Sequence, residues 1–439
     1  MWFHQENPLP ESFPHLNCKM HYFIFIKNQL YCEDLKVYDL AKEFGTPLYV
    51  YSKKTILDHF FKIKRAFSSI KPIICYSVKA NSNLSILKLL VKHGSGLDIV
   101  SGGELYRAKI IGCPPKRIVY ASVGKTDEEI KDGVKYGILM FNVESLAELE
   151  KIDNIANRLR RKVDIGLRIN PDIESKTHEY IVTGKKESKF GMDFHTIESV
   201  FINRVNYPNL NIVGLHIHIG SQITQAAPFI KAIKKVLNLL KKLEKKSSLK
   251  YFNIGGGLGI TYDKEKPQTA KDFARRVIPL LKECGLKIIL EPGRFIVGNA
   301  GILVTKVLYL KDTPKKRFII VDAGMNDLIR PALYNAYHRI VPLCRNVKLK
   351  RKSLKPADIV GPICETSDFL GKDRFIEARE NSYLAVLGCG AYGFTMSSNY
   401  NSRRRAAEVL VDGKKVYLIR KRESYKDLVD KEINLLNPR

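Results

Sequence analysis

At 439 residues, 45% hydrophobic and 27% charged, the chain is too rich in core-forming residues to be disordered or collagenous and too long for one ordinary domain. Its net charge of +29 is the one compositional hint of nucleic acid, but the basic residues alternate with apolar ones along 233–246 or form short clusters at 348–352 and 403–405, without an RNA-binding or zinc-knuckle signature, so specific nucleic-acid binding is not expected. No run approaches the ~18 apolar residues of a membrane span, the opening residues lack an apolar signal core, and the eight cysteines are scattered without a CxxC pair, so a cytoplasmic protein with no membrane contact and no disulfide framework is expected.

Residues 1–19, before the methionine at position 20, show no clear periodicity, as in a disordered leader or a misassigned start. The rest of the first 45 residues contains one hairpin-like stretch, YFIFIKNQLYCED, expected to pack with a later β-domain. Residues 46–297 then repeat one unit: a short apolar, β-branched run, a polar or glycine-containing turn, and a helical pattern. The runs begin near Ile73, Leu97, Arg117, Ile138, Val163, Ile212, Tyr251 and Lys287. Strands alternating with helices imply right-handed crossovers and a parallel sheet, and eight such units closing on themselves make a (β/α)8 TIM barrel. Polar residues fall at the carboxyl ends of the runs, where this fold lines its catalytic mouth: Lys79, Ser101, Arg168, His218, the glycines 255–257, and Glu291 with Arg294. Residues 298–439 change to short strands with few long helices (GILVTKVLYL, KRFIIVDAG, SYLAVLG, AAEVLVDG, KKVYLIR) and read as a mostly antiparallel β-domain attached to the α/β barrel.

Two phosphate motifs fail. Gly124, Lys125 and Thr126 sit between a strand and a helix, but Val119 stands where a Walker A loop needs its first glycine; Thr126 and Glu129 have the spacing of a capping box instead. GGGLGITY has Tyr262 where a dinucleotide fingerprint ends in glycine. His216 and His218 project to one side of a strand without a third ligand at a recognisable spacing, so no metal site is expected. His218 is either a satisfied core histidine or a ring laid against a flat ligand, and its spacing fits both. What coheres is a lysine after the first barrel strand, a glycine triplet after the seventh, and an acid with an arginine after the eighth. TIM barrels bind phosphate at loops seven and eight, through glycine-exposed amides and charge-assisted arginine contacts. An amine nucleophile facing that phosphate, with a buried acid between, is the set a pyridoxal phosphate (PLP) enzyme needs. Taken singly, Lys79 reads as a solvated lysine and Glu291 as an ion-pair partner.

The segments YSVKAN, LDIVSGGEL, HIHIGSQ, NIGGGLG, EPGRFIVG, GPICETSDFL and GAYGFTMSSNYNSR, in matching order across residues 20–411, closely resemble the diaminopimelate decarboxylases, PLP-dependent decarboxylases whose barrel is shared with alanine racemase. The resemblance implies decarboxylation of meso-2,6-diaminopimelate to L-lysine and CO2, the last step of lysine biosynthesis. It also implies a homodimer whose active sites lie between the barrel of one subunit and the β-domain of the other. By the same resemblance Lys79 is the Schiff-base lysine and His218 the residue stacked on the pyridine ring. Ser221, Gly256, Gly257, Gly293 and Arg294 match the phosphate-side loops, Glu291 the carboxylate on the pyridine nitrogen, and Tyr392 a hydroxyl near the cofactor. Cys364 matches the proton donor from the partner subunit, and Arg294, Arg330, Tyr334, Glu365 and Tyr392 match substrate contacts. Thr366, where the family usually has Ser, and Arg404, where it usually has Pro, touch no named role. A free lysine titrates near ~10.4 and must become neutral to attack a carbonyl, whereas a thiol near ~8.5 is mostly protonated at neutral pH and can donate. Without the resemblance Cys364 reads as an ordinary buried cysteine. The rival reading is the same chemistry on ornithine, arginine or lysine. Glu365 and the segment 177–191 (THEYIVTGKKESKFG) resemble the diaminopimelate branch instead, and intact Lys79, Glu291 and Cys364 disfavour a non-catalytic PLP-fold regulator.

Overall fold

The computed structural model describes residues 21–173, 188–243, 249–345 and 354–436. The chain opens with a small antiparallel sheet, β1 (Phe23–Ile26), β2 (Gln29–Cys32) and β3 (Leu35–Lys36). Lys27 and Asn28, at φ 46° and 65°, form the two-residue left-handed turn that a tight hairpin favours. This sheet stays separate from the larger one but shares its core: Leu30, Cys32 and Val37 pack with Val304 and Val409, and the Leu30 amide donates to the Leu343 carbonyl at 2.8 Å. The next strand, β4 (Leu48–Ser52), is buried along its whole length.

Strands β5 (Ile73–Ser77), β6 (Gly96–Ile99), β7 (Ile118–Tyr120), β8 (Met140–Val143), β9 (Val163–Ile169), β10 (Leu210–Ile217), β11 (Tyr251–Asn253) and β12 (Lys287–Leu290) pair in parallel and close into a barrel. They are the eight runs read from the sequence, and their apolar continuity has a direct cause. A parallel strand inside a ring of helices is buried on both faces. The helices between them start where side chains satisfy their free amides: Ser101, Thr126 and Ser145 each accept an amide hydrogen bond from the first turn, and Thr126 and Glu129 form the capping box. Lys125, beside that box, is buried and donates to Glu148 of the helix Leu146–Arg158 at 2.6 Å, so its amine is engaged within the protein and not in a nucleotide loop. Helix Ala227–Leu243 buries Ile233, Val236 and Leu237 and turns Lys234, Lys235, Lys241 and Lys242 to solvent; Lys245 and Lys246 lie outside the described residues, as does the cluster at 348–352.

After the barrel come β13 (Gly301–Asp312), β14 (Arg317–Val321), β15 (Ile340–Pro342), β16 (Ala357–Val360), β17 (Phe369–Arg374), β18 (Tyr383–Val386), β19 (Ala407–Asp412) and β20 (Lys415–Arg420). The sheet runs β17-β16-β14-β13-β4-β19-β20, with β18 on β13 and β15 on β18. It is mixed: β14 with β16 and β4 with β19 are parallel, and the other pairs antiparallel. One element falls on the other side of the domain boundary expected at residue 46. Strand β4 precedes the barrel in the chain, yet it is a central strand of this second sheet, between β13 and β19. The barrel is thereby inserted between strands of one sheet. The chain enters the barrel from β4 through the helix Lys53–Ala66 and leaves it after the carboxyl end of β12 into β13, and the β-domain meets the barrel mouth directly: the Tyr392 amide donates to the Ala80 carbonyl at 2.8 Å, and Asn81 donates to the Gly390 carbonyl at 3.2 Å.

Candidate active site

Lys79 lies in a single 3-10 turn, Val78–Ala80, directly after β5. Its Nζ is 3.2 Å from Oδ2 of Asp98, a fully buried carboxylate on β6 that also accepts Ser77 Oγ at 2.6 Å. Burial works against the Lys79 charge, but Asp98, followed by Tyr392 and Glu291, outweighs it and holds the ammonium well above its ordinary range. Burial and the nearby Glu291 charge push Asp98 up in turn. Asp98 thus favours the charged form of the Lys79 amine and is itself pushed toward accepting a proton.

Glu291 follows β12 and is gripped from three strands. Its Oε1 accepts Asn253 Nδ2 at 2.5 Å and Asn142 Nδ2 at 3.3 Å, and its Oε2 lies 3.4 Å from His216 Nε2. Burial opposes its charge, yet His216 and Lys79 hold the carboxyl well below the usual carboxylate range. His216, considered above as half of a metal site, thus faces a carboxylate.

His218 sits beyond the end of β10, and its Nδ1 accepts the Gly256 amide at 3.3 Å, which leaves the proton of the neutral ring on Nε2. Burial, with the charges of Lys79 and Arg168, pushes this histidine well below its ordinary pKa, so the ring is neutral. Backbone approach dictates the glycines that follow β11. A Cβ on Gly256 would stand 2.1 Å from the Glu291 carbonyl oxygen; one on Gly257, at φ 108°, would stand 2.4 Å from the Gly220 carbonyl oxygen. A Cβ on Gly293 would stand 2.9 Å from that of Ser77.

Arg294 donates to Ser221 Oγ at 3.0 Å and to Tyr262 Oη at 2.6 Å, and its guanidinium lies over the Tyr392 ring at 4.7 Å. Arg330 lies over the other side of the cluster, 4.7 Å from the Tyr262 ring centre, and begins the short helix Arg330–Tyr334. The half-buried Tyr334 that ends this helix adds to the field around Arg294. Among the described residues neither guanidinium has a carboxylate partner, although both arginines are buried.

Cys364 and Glu365 stand apart. Both are exposed, not buried: Cys364 donates its amide to Asn401 Oδ1 at 2.9 Å, and Glu365 accepts the Tyr400 hydroxyl. The loop carrying them is pinned by Asp368, whose carboxylate accepts the amides of Ile363 and Met325, each at 2.6 Å. Within one chain, then, the structure gathers Lys79, His218, Ser221, Gly256, Gly257, Glu291, Gly293, Arg294, Arg330, Tyr334 and Tyr392, and leaves Cys364 and Glu365 on an outer surface. Residues 177–187 of the segment at 177–191 lie outside the described residues. Asp98, Asn142, Asn253, Tyr262 and His338 were not anticipated. The signal for the first three was present: each is a buried polar residue in an otherwise apolar or aromatic strand of the barrel.

The family model described as "Pyridoxal-dependent decarboxylase, pyridoxal binding domain" matches residues 53–298. A diaminopimelate decarboxylase of Aquifex aeolicus is 52% identical over 94% of this chain and 98% of its own length. The chain belongs to the diaminopimelate decarboxylase family. A crystal structure of the Helicobacter pylori family member complexed with L-lysine superposes with a TM-score of 0.86 at 42% identity, over 91% of this chain and 99% of that one. A Vibrio vulnificus lysine/ornithine decarboxylase complexed with putrescine has a TM-score of 0.75 at 20% identity, over 86% of this chain and 97% of that one, and shares the fold. The residues present fit the family's cofactor, PLP. An amine, a carboxylate gripped in its anionic form, a neutral imidazole, and a serine and arginine beside side-chain-free backbone occupy one mouth, and no Cβ could be added to the glycines without collision.

Proposed function

We propose that the chain decarboxylates meso-2,6-diaminopimelate to L-lysine and CO2 with PLP as cofactor, and that two copies complete each active site. The observation that carries the substrate is the buried Arg330 guanidinium, joined through Tyr262 to Arg294 and, among the described residues, without a carboxylate of its own; Arg294, shared with the phosphate, stands beside it. A substrate with a second carboxylate at its far end supplies what Arg330 lacks. Ornithine and lysine do not, and a buried charge left unpaired costs ~3 to 5 kcal/mol, roughly 10² to 10⁴ in kcat/KM.

When bound, PLP supplies an electron sink for the bonding pair of the departing carboxylate. The chain's own residues do the rest. Lys79 holds the cofactor by its amine, and Asp98 Oδ2, 3.2 Å from Nζ, is the acceptor within reach for the proton the ammonium must first lose. Glu291, anionic and fixed by Asn253 and Asn142, would favour a proton on the ring nitrogen, and the neutral His218 would offer its imidazole to the ring without adding charge. Ser221, Arg294 and the backbone around Gly256, Gly257 and Gly293 receive the phosphate, and Tyr392, tied to the Lys79 turn, closes the mouth. The exposed Cys364 of a second copy donates the proton to the carbon that has lost CO2, and Glu365 of that copy accepts the distal ammonium. Their exposure on the pinned outer loop supports this division between chains. The described cysteines are all free, which supports a reducing, cytoplasmic setting, and no described helix is long and apolar enough to cross a membrane.

The test is CO2 release by PLP-loaded protein from meso-diaminopimelate, lysine, ornithine and arginine. Diaminopimelate is expected to lead by roughly a hundredfold or more in kcat/KM. Turnover of lysine or ornithine within about tenfold of it moves the assignment to the rival substrates.

A further inference from the structure

Two buried guanidiniums without an acid between them among the described residues need something else to fix their orientation. We propose that His338 is a positioning residue for substrate selection, holding the Arg330 guanidinium where the distal carboxylate of the substrate meets it. This rests on the substrate reading above and deepens it.

The contact is short and buried: Arg330 Nη1 donates to His338 Nε2 at 2.7 Å. A guanidinium can only donate, so Nε2 carries no proton and the ring must keep its proton on Nδ1. That N–H donates to the Leu387 carbonyl at 2.9 Å, which fixes the tautomer from the other side. The Tyr262 ring stands edge-on to the imidazole, with centroids 5.2 Å apart at 76°, and carries Arg330 on its face and Arg294 on its hydroxyl. His338 and Tyr262 thus tie both arginines into one rigid unit anchored on the β-domain backbone.

The choice of a histidine has an electrostatic reason. An Asp or Glu in its place would orient Arg330 equally well but would neutralise it and compete with the incoming carboxylate. A neutral imidazole fixes direction and leaves the charge available. Burial, with the Arg330 charge, pushes His338 down to about 3, so it stays neutral at working pH. Arg330 spends one N–H on the ring and retains the others for an anion.

Asn and Gln substitutions separate the two ring nitrogens. In His338→Asn the amide can still reach the Leu387 carbonyl but is too short to accept from Arg330; in His338→Gln the side-chain oxygen reaches Arg330. Wild-type protein is measured first with diaminopimelate and lysine, and if it fails to prefer the former, the substrate reading falls independently of His338. Given that preference, His338→Asn is expected to raise KM for diaminopimelate about tenfold or more with a smaller change in kcat. It should weaken inhibition by 2-aminopimelate, which has a distal carboxylate, by a similar factor. Inhibition by L-lysine, which has none, and the PLP dissociation constant should move less than about threefold. His338→Gln should return KM to within about threefold of wild type. Equal losses for 2-aminopimelate and lysine, no loss in the Asn variant, or no recovery in the Gln variant overturns the assignment.

Discussion

Asp98, 3.2 Å from Lys79 in a buried strand, favours the ammonium form of a lysine that must act as a nucleophile. Lys79→Ala is therefore expected to abolish covalent PLP attachment, read as loss of the cofactor label after borohydride reduction and peptide mapping; label on another lysine assigns the role elsewhere. Glu291→Gln is expected to retain PLP but lose roughly 10² or more in kcat, since an amide cannot favour a protonated ring nitrogen as an anion does. Near-normal turnover in that variant removes Glu291 from its role. A third residue sets a pH dependence of stability. Burial raises the Asp327 carboxyl to about 7, and one of its oxygens has no hydrogen-bond partner. Between its ordinary pKa and about 7 the folded chain holds a proton that the unfolded chain has released, so this group makes stability fall as pH rises through that window. Asp327→Asn should therefore raise the melting temperature at pH 8 by a few degrees and leave it nearly unchanged at pH 4; the reverse order contradicts the assignment. At this scale the sequence was legible where a residue type and its strand-end position coincided, as for Lys79 and Glu291. Asp98 and Asn253 escaped because their importance lies in which strands become neighbours.

Elements convert these residues into a site through backbone approach. Strand β12 and the glycine loop after β11 share a hydrogen bond from the Glu291 amide to the Gly255 carbonyl at 2.8 Å, and Gly256 has no room for a Cβ. Gly256→Ala is thus expected to displace Glu291 and weaken PLP affinity by about tenfold or more, measured by equilibrium titration of cofactor absorbance, while far-UV circular dichroism stays unchanged. Retention of wild-type affinity shows that the loop yields without disturbing the acid. The seam between barrel and β-domain is held differently. Asn83 caps helix Leu84–Lys92 by accepting the Ser85 amide and also donates at 3.0 Å to the buried Glu408, whose other oxygen accepts Tyr51 at 2.7 Å. Asn83→Ala removes a cap and strands part of a buried carboxylate, at about 1 to 3 kcal/mol, and should appear as a lowered melting temperature with PLP affinity retained. The barrel strands were readable because a doubly buried parallel strand is a continuous apolar run. The boundary at residue 46 left β4 on the barrel's side: LYVYS is buried along its whole length as a barrel strand would be, and only its pairing with β13 and β19 assigns it to the other sheet. Register over such separations is a tertiary fact that no local pattern carries.

At the scale of the whole molecule the site is divided between what one chain gathers and what it leaves outside. Barrel and β-domain bring an amine, an acid, an imidazole and two arginines to one mouth, yet the thiol and carboxylate expected to finish the chemistry lie exposed on a loop that Asp368 holds rigid. Composition and periodicity gave no warning of this, since any surface that a second copy would cover differs from other surface only in where its apolar and rigid parts fall. Exposed Leu333, Tyr337, Phe375 and Tyr400 provide apolar area on the β-domain of the kind a second copy covers. Complementation separates a shared site from a self-contained one. Lys79→Ala and Cys364→Ala chains are each expected to be nearly inactive alone, the first for want of a cofactor bond and the second for want of a proton donor. Co-folded and purified by two different tags, a mixed dimer has one mouth carrying both defects and one carrying neither, so it should recover about half of the wild-type activity per dimer. If lysine and cysteine served the same mouth within one chain, every mouth in that mixed dimer would carry one defect and activity would stay at the level of the single variants. Recovery must also vanish when Asn401→Ala and Asp368→Ala are added to the chain that supplies the intact thiol, because the Asn401 and Asp368 side chains fix the loop bearing Cys364. Activity that survives those additions places the proton donor outside this loop.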